Sequence, residues 1–168
     1  KPVCSIDPPG CKDIDDALHA VVLENGNYEL GVHIADVSHY IKKESKIFER
    51  ACNKTTSLYM NNSVFHMLHH IISNGICSLN PGVDRLTKTV IMDIDSDGKI
   101  INYDIKKSVI NSKMKMTYED VDKVIINDKI INRCLIGLSR DSFNLENIED
   151  MTYTFQNCNN LKEIKNVY

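Results

Sequence analysis

Four aspartates near the start of the chain could do chemistry together: Asp7, Asp13, Asp15 and Asp16, on either side of a Pro-Pro-Gly turn at residues 8–10. Two like charges ~4 Å apart repel by roughly 4 kcal/mol at an effective dielectric constant of ~20, so a fold that gathers these carboxylates needs cations or protons. Hard oxygen ligands favour Mg²⁺, Mn²⁺ or Ca²⁺ over zinc, and pairs of such ions serve in phosphodiester cleavage. The spacing also fits a solvated turn, because Asp beside Pro and Gly is ordinary turn chemistry.

Several further motifs follow this acidic segment in order. The segments concerned are residues 5–20, 31–41, 56–59, 73–86, 107–110 and 116–121. In type and order they resemble the RNase II/RNase R (RNB) exoribonuclease family, and most of all its eukaryotic exosome-associated branch. The resemblance is clear over residues 3–121, and an ordered series of motifs is more specific than any single one. Residues 1–168 are therefore expected to be part of an RNB catalytic domain, with residues 142–168 divergent or poorly ordered.

The resemblance implies a metal-dependent, hydrolytic exoribonuclease that degrades single-stranded RNA from the 3′ end to nucleoside 5′-monophosphates. Asp7, Asp13, Asp15 and Asp16 match the family's four catalytic, metal-binding acids residue by residue, and Asp15 is expected to matter most for turnover. The implied cofactors are two Mg²⁺ ions, with Mn²⁺ as a substitute. Tyr59 matches an aromatic residue that packs against the 3′-terminal nucleotide, and stacking on a ring contributes ~1–3 kcal/mol per base. The implied partners are single-stranded RNA and, for the full-length protein, exosome subunits, at an intracellular location in the nucleus, the cytoplasm or both.

The sequence also departs from the family pattern. Residues 61–70 lack the prolines usual there, and an arginine that the family uses well downstream to stabilise charge on the phosphate has no counterpart before Tyr168. The chain starts at Lys1 without a methionine, so the natural protein is expected to extend upstream and the isolated chain to be weak or inactive. A second class of function stays open: a catalytically silent RNA-binding or scaffold module that keeps the fold.

The composition is that of a soluble globular protein without a membrane segment. The 168 residues are 42% hydrophobic and 26% charged, and no apolar run reaches the ~20 residues that a spanning helix needs. A net charge of −3 is unusual for a surface that binds RNA, but bound cations would reverse the sign around the four acids. The six cysteines form no CxxC pair and are expected to be free intracellular thiols.

Hydrophobic patterning predicts an α+β (mixed α/β) fold with a largely antiparallel sheet, hairpins and flanking helices. An Asn25-Gly26 pair between two β-rich runs is a strong hairpin signal. The predicted strands are residues 3–6, 17–23, 28–37, 89–92 and 100–105, and the predicted helices are 44–53, one that starts at Thr117, and 129–138.

Two further groups imitate metal sites. Residues 93–104 place aspartates and a glycine at the spacing of an EF-hand loop, but their β-patterned flanks favour a hairpin turn, with calcium binding as the alternative. His66, His69 and His70 lack Cys or acidic partners at zinc spacing. Strand alternation sends His33 and Asp36 to opposite faces, and we interpret His33 and His39 as structural or surface residues.

Overall fold

The computed structural model describes residues 1–127, which contain a six-stranded sheet, a two-stranded sheet and three α-helices. In chain order the elements are β1 (Cys4–Ile6), β2 (Asp16–Val22), β3 (Tyr28–Ala35), α1 (Val37–Tyr40), α2 (Lys46–Lys54), β4 (Leu58–Met60), β5 (Ser63–Phe65), a π-helical segment (Ile71–Ile76), β6 (Asp84–Ile94), β7 (Ile100–Asn111), β8 (Met114–Met116) and α3 (Tyr118–Asn127). The predictions for residues 129–138 and 142–168 lie outside the described residues.

The large sheet has the strand order β7-β6-β3-β2-β1-β8. Neighbouring strands are antiparallel except β1 and β8, which are parallel. The predicted α+β fold with a largely antiparallel sheet is therefore confirmed. The first hairpin forms where the Asn-Gly signal placed it: the Leu23 N–H donates to the Asn27 carbonyl at 2.7 Å, and Gly26 has a φ of 85°. A positive φ costs glycine little, which is why it suits this turn.

The second predicted hairpin joins β6 to β7. One carboxylate oxygen of Asp95 accepts hydrogen bonds from the backbone N–H of Asp97 at 3.0 Å and of Lys99 at 2.8 Å. Aspartate side chains commonly accept such backbone hydrogen bonds at turns. Because strands rather than helices flank it, the segment is not an EF-hand.

Apolar side chains are buried on both faces of the large sheet. One cluster contains Val3, Ile14, Ala17, Ala35, Cys77, Leu79 and Ile110, with Val37 and Ile72 packed against it. The other contains Cys4 and Met116, against which Ile6, Leu18, Met114 and Val121 pack. The neighbours Val3 and Cys4 at the start of β1, and Ala17 and Leu18 on β2, thus contribute to different clusters, as strand alternation requires. Both strands that bracket the four acids are consequently fixed from two sides.

The chain differs from the predictions around Asp36. The predicted strand 28–37 ends at Ala35, and the short helix α1 follows, with the Ser38 hydroxyl donating to the Asp36 carboxylate at 2.8 Å. Since Asp36 is not in the strand, alternation does not decide its direction; Asp36 and His33 are both buried. The helix predicted over 44–53 is present as α2, where the Ser45 hydroxyl accepts from the Phe48 N–H at 3.2 Å as an N-cap.

The sequence did not predict the small hairpin of β4 and β5, in which Met60 pairs with Ser63 across a two-residue turn. Every residue of these two strands is exposed. Within residues 1–127 no cysteine forms a disulfide. In the same range no helix is long and apolar enough to cross a membrane.

Candidate active site

The four acids lie on and beside the loop between β1 and β2, which we call the acid loop (residues 7–16). Asp7 follows β1 directly, and Asp16 is the first residue of β2. Gly10 takes a φ of 79° in the turn, and the Cys11 N–H donates to the Pro8 carbonyl at 3.2 Å. The loop thus turns sharply and returns its acids to the edge where β1 and β2 meet.

Backbone hydrogen bonds fix the acid loop to its surroundings at several points. The Asp7 N–H donates to the Met116 carbonyl at 2.9 Å, and the Asp15 carbonyl accepts from the Ala35 N–H at 2.9 Å. Between them, Ile14 is buried, and its carbonyl accepts from the Leu79 N–H at 2.9 Å. The loop is therefore connected to β8, to the end of β3 and to the segment before β6.

Two of the carboxylates accept hydrogen bonds from side chains that the sequence did not single out for this role. The buried Asp7 carboxylate accepts from the Ser5 hydroxyl at 2.7 Å. Asp13 accepts from the Tyr59 hydroxyl at 2.7 Å. The Cys11 thiol lies between the two acids, 3.5 Å from an Asp13 carboxylate oxygen and 3.8 Å from one of Asp7.

The remaining two acids, Asp15 and Asp16, lie at the surface near other carboxylates. Asp15 and Asp16 are exposed, but protein around their carboxylates displaces part of the water, and this desolvation is the largest cause of a raised pKa at each. The charges of Asp13, Asp16 and Asp7 raise the pKa of Asp15 further, and the charge of Asp7 does so for Asp16. The predicted gathering of like charges is thus present in the fold.

Hydrogen bonds shift the pKa of Asp13 in the opposite direction to those of Asp15 and Asp16. Partial burial alone would raise the pKa of Asp13, but the hydrogen bonds from Tyr59, from its own backbone and from Cys11 lower it below its ordinary value. The same contact raises the pKa of the Tyr59 phenol to about 12. For Cys11, desolvation first and then the charge of Asp7 raise the pKa of the thiol to about 11. Asp13 is therefore held as a carboxylate, and Cys11 as a neutral thiol.

The donor chemistry of the acid loop fits hard divalent cations, because it offers four carboxylates and partly uncompensated negative charge. Among residues 1–127, however, no three His, Cys, Asp or Glu side chains converge closely enough to hold a metal ion. The loop brings the four acids into one electrostatic cluster without assembling a closed coordination shell.

Tyr59 makes a contact that the sequence did not reveal. The side chain projects from the exposed β4–β5 hairpin, and the residue is 63% exposed. Nothing in the local pattern signals the hydroxyl contact to Asp13, since the two residues are 46 positions apart. The exposed ring stands directly beside the acid loop.

His33 and His39 are placed as predicted, one in the interior and one at the surface. His33 is buried and hydrogen-bonded to His19 and Thr89, whereas His39 is exposed on α1. His69 and His70 are exposed, and their rings lie against each other with centroids 4.2 Å apart. The charge of His66 contributes to the lowered pKa of Asp13, although the Nδ1 atom of His66 is buried without a hydrogen-bond partner.

Comparison with known proteins identifies a family for most of the chain. Residues 1–165 match the family described as RNB domain. The chain is 50% identical over 125 residues to Ribonuclease R 1 of Lactococcus lactis, covering 74% of this chain and 15% of that protein. It is 45% identical over 130 residues to the exosome complex exonuclease dis3 of Schizosaccharomyces pombe, covering 77% of this chain and 13% of that protein. The chain therefore spans only a small part of the length of these relatives.

Solved structures give the same result for the fold. Mycoplasma genitalium RNase R in complex with ribose-methylated single-stranded RNA superimposes with a TM-score of 0.71 at 32% identity, covering 77% of this chain and 20% of that one. The yeast pseudonuclease Ssd1 superimposes with a TM-score of 0.68 at 25% identity, covering 75% of this chain and 15% of that one. The fold is thus similar to that of a ribonuclease and to that of a pseudonuclease.

Proposed function

This chain belongs to the RNB domain family, and we propose that the protein containing it is a metal-dependent, hydrolytic exoribonuclease. It would shorten single-stranded RNA from the 3′ end and release nucleoside 5′-monophosphates. One observation carries the proposal: the acid loop gathers four carboxylates on a backbone fixed to the sheet, although desolvation first and then neighbouring carboxylate charges raise the pKa values of Asp15 and Asp16. Titratable groups with shifted pKa values that a fold nevertheless keeps together are candidates for function.

Asp7, Asp13, Asp15 and Asp16 would hold two Mg²⁺ ions, with Mn²⁺ as a substitute. When bound, such ions polarise the scissile phosphate, lower the pKa of the attacking water and stabilise the leaving 3′ oxygen. The chain itself supplies the hard oxygen donors and the negative charge. Hydrogen bonds also orient two of these donors, because the Ser5 hydroxyl bonds to Asp7 and the Tyr59 hydroxyl bonds to Asp13.

Tyr59 would contact the 3′-terminal nucleotide of the RNA. Its ring is exposed beside the acid loop, and the hydroxyl bond to Asp13 restrains the direction in which the ring faces. An aromatic face contributes to binding single strands without regard to sequence, since every base has a face that can stack. This position next to the acids suits a residue that holds the last nucleotide.

The names of the relatives also suggest partners for the full-length protein. The Schizosaccharomyces pombe and human relatives are named exosome complex exonucleases, and the latter is 42% identical over 142 residues. We therefore include association with exosome subunits in the proposal, with a location in the nucleus, the cytoplasm or both.

A silent RNA-binding or scaffold module is the second candidate. Two observations favour it: no three of the described acidic, His or Cys side chains converge on a common metal position, and a pseudonuclease has a similar fold. In this case the acid loop would persist as a structural remnant and RNA would bind without being cut.

The experiment that separates the two candidates uses the protein expressed at the full length of its gene. A single-stranded RNA with a 5′ label and a 3′ tail is incubated with Mg²⁺ and wild-type protein, and with an Asp15→Asn variant beside it. Asp97→Asn serves as a matched control, because Asp97 is an exposed aspartate in the β6–β7 turn. Stepwise shortening of the labelled RNA by the wild type and the control, but not by Asp15→Asn, is the expected result. RNA that the wild type binds without shortening would favour the silent module.

A further inference from the structure

We infer that Ser78 is a positioning residue for the acid loop: its buried hydroxyl holds the backbone on both sides of Asp13 and thereby sets where the Asp13 and Asp15 carboxylates stand. The inference rests on the proposed function, because it concerns how the same acids are presented to cations. It assigns Ser78 no contact with RNA or with a reacting atom.

The Ser78 hydroxyl makes two hydrogen bonds to the loop in opposite senses. It accepts from the Ile14 N–H at 3.1 Å and donates to the Lys12 carbonyl at 2.8 Å. A hydroxyl can do both at once, whereas an alkyl side chain can do neither. The residue after it adds a third bond, from the Leu79 N–H to the Ile14 carbonyl at 2.9 Å. Asp13 lies between the two residues that Ser78 holds.

Burial makes the hydrogen bonds of Ser78 difficult for water to replace. Ser78 and Leu79 are each 0% exposed and Ile14 is 1% exposed, so water does not replace the bonds if the hydroxyl is removed. Ile14 packs in the same apolar cluster as Leu79. With Ile14 anchored inward and its backbone bonded on both sides, the flanking carboxylates project from a fixed base: Asp13 is partly buried and Asp15 is exposed.

Ser78 is itself held from the sheet by Arg85 on β6. The guanidinium donates through Nε to the Ser78 carbonyl at 2.8 Å and through Nη2 to the Gly75 carbonyl at 3.2 Å. Its Nη1 donates to the Asp84 carbonyl at 3.0 Å. All three guanidinium nitrogens are thus directed at backbone carbonyls, and the long strand β6 supports Ser78 from outside the loop. A site held on regular structure in this way is more precise than one on a free loop.

The hydrogen bonds of Ser78 to the loop counteract the repulsion among the acids. Negative charges on Asp13 and Asp15 push the loop towards conformations in which the two carboxylates separate. A backbone fixed on both sides of Asp13 resists this movement, so less reorganisation is needed when cations bind. Residues that orient metal ligands without touching the metal commonly change metal affinity or activity ~10- to 100-fold.

The test compares Ser78→Ala with a matched control, Ser112→Ala, in the full-length protein. Ser112 is 1% exposed and its hydroxyl donates to the Met114 carbonyl at 3.2 Å, so both variants remove a buried hydroxyl that serves the backbone. Two readouts that need no activity are used: the affinity for Mn²⁺ by calorimetric titration, and amide hydrogen exchange of the peptide covering residues 12–15. RNA shortening is measured in parallel. Ser78→Cys, which keeps a weak donor of similar size, replaces Ser78→Ala if that variant does not fold.

We expect Ser78→Ala to exchange faster at residues 12–15 and to bind Mn²⁺ ~10-fold or more weakly, while Ser112→Ala keeps the wild-type affinity. Faster exchange with unchanged Mn²⁺ affinity would overturn the inference, since Ser78 would then be structural only. Equal losses in both variants, or a wild type that binds no Mn²⁺, would overturn it as well. If Mn²⁺ affinity depends on Ser78 but the wild type does not shorten RNA, the positioning role stands and the proposed exoribonuclease fails.

Discussion

Two clusters of polar side chains lie along β2, and their energetics are opposite. At the start of the strand, the acid loop gathers carboxylates, and desolvation together with neighbouring negative charge raises the pKa values of the exposed Asp15 and Asp16. Further along, His19 belongs to a buried chain of hydrogen bonds in which each polar group has a partner. Repulsion between like charges remains in the acid loop, whereas the polar groups around His19 are paired by hydrogen bonds.

The histidine chain crosses four strands of the sheet. The Glu29 carboxylate and His19 Nε2 are 2.8 Å apart, His19 Nδ1 and His33 Nε2 are 2.8 Å apart, and His33 Nδ1 is 2.8 Å from the Thr89 hydroxyl. The Thr89 hydroxyl continues to that of Ser108 at 2.6 Å. Because a carboxylate only accepts, His19 carries a proton on Nε2. One arrangement that pairs every group has His33 donate from Nε2 to His19 Nδ1 and Thr89 donate to His33 Nδ1.

The contrast distinguishes structural polar groups from candidate functional ones. A buried network that is fully paired adds rigidity and specifies one packing. A group of like charges at the surface destabilises the fold and is kept only where another task requires it. On this criterion the acid loop, and not the histidines, is the place to look for chemistry.

The largest effect is expected at the acid loop itself. Asp15→Asn should lower RNA shortening by at least ~100-fold, because it removes the charge of a proposed cation ligand. The same change should stabilise the protein by up to ~1 kcal/mol in chelator, since it relieves repulsion that solvent only partly screens. Urea unfolding checks the second result, with Asp97→Asn as control. A variant that loses both activity and stability would remove the contrast between the two clusters.

The histidine chain should make stability depend on pH. Burial and then the charge of His19 lower the pKa of His33 to about 4, from an ordinary value of 6.5. Between these pH values the unfolded chain binds a proton that the folded protein does not, so stability falls as pH falls, by up to ~1.4 kcal/mol per pH unit.

Other charged groups face the same chain. The hydrogen bonds of Glu29 with His19 and Lys1 lower its pKa despite the opposing effect of burial, so Glu29 adds a loss of the same sign at more acidic pH. His33→Gln should flatten the dependence of stability on pH between 6.5 and about 4, as measured by urea midpoints at several pH values. An unchanged slope in the variant would contradict the assignment to His33. The raised pKa values of Asp15 and Asp16 act in the opposite direction, because there the folded protein binds protons more readily.

The close packing of the histidine chain predicts a specific sensitivity at Gly31. A Cβ atom there would lie 2.1 Å from Cε1 and 2.4 Å from Nδ1 of His19, so alanine must displace the imidazole. We expect Gly31→Ala to destabilise the protein by ~1–3 kcal/mol in urea unfolding. Gly75→Ala is the control, since a Cβ there meets nothing within 4 Å. Similar stabilities for the two variants would mean that the His19 position is not restrained.

At the acid loop, Tyr59 offers a finer test with two substitutions. Tyr59→Ala should weaken binding of single-stranded RNA by ~1–3 kcal/mol, because it removes the stacking ring. Tyr59→Phe keeps the ring and loses only the exposed hydrogen bond to Asp13, so its affinity should stay within about 1 kcal/mol of wild type. Fluorescence anisotropy with a labelled RNA measures both. Equal losses would assign the effect to the hydroxyl instead of the ring.

The smallest effect is expected at the β6–β7 turn, whose aspartates serve the backbone. A double Asp93→Ala and Asp95→Ala variant should bind Ca²⁺ and Mg²⁺ like the wild type in calorimetric titration, because Asp95 is committed to the N–H groups of Asp97 and Lys99. A marked loss of Ca²⁺ affinity in the variant would revive the calcium-binding alternative.

Local patterns in the sequence determined the β2–β3 and β6–β7 hairpins, α2, the α+β class and the acidic segment, because turn residues and hydrophobic periodicity act over a few positions. The end of β3 at Ala35 and the hairpin of β4 and β5 were missed, since neither has a comparable local signal. Family likeness named the same four acids and Tyr59, and their roles stay a prediction.

Only the tertiary structure decided which distant groups meet. Ser78 reaches Ile14 across 64 positions, Tyr59 reaches Asp13 across 46, and His33 reaches Thr89 across 56. Such contacts depend on strand order and register, which bring side chains together without leaving a trace in local spacing. The sequence alone thus determined which acids could act. The tertiary structure decided which hydroxyls donate hydrogen bonds to them and which histidines pair with one another instead.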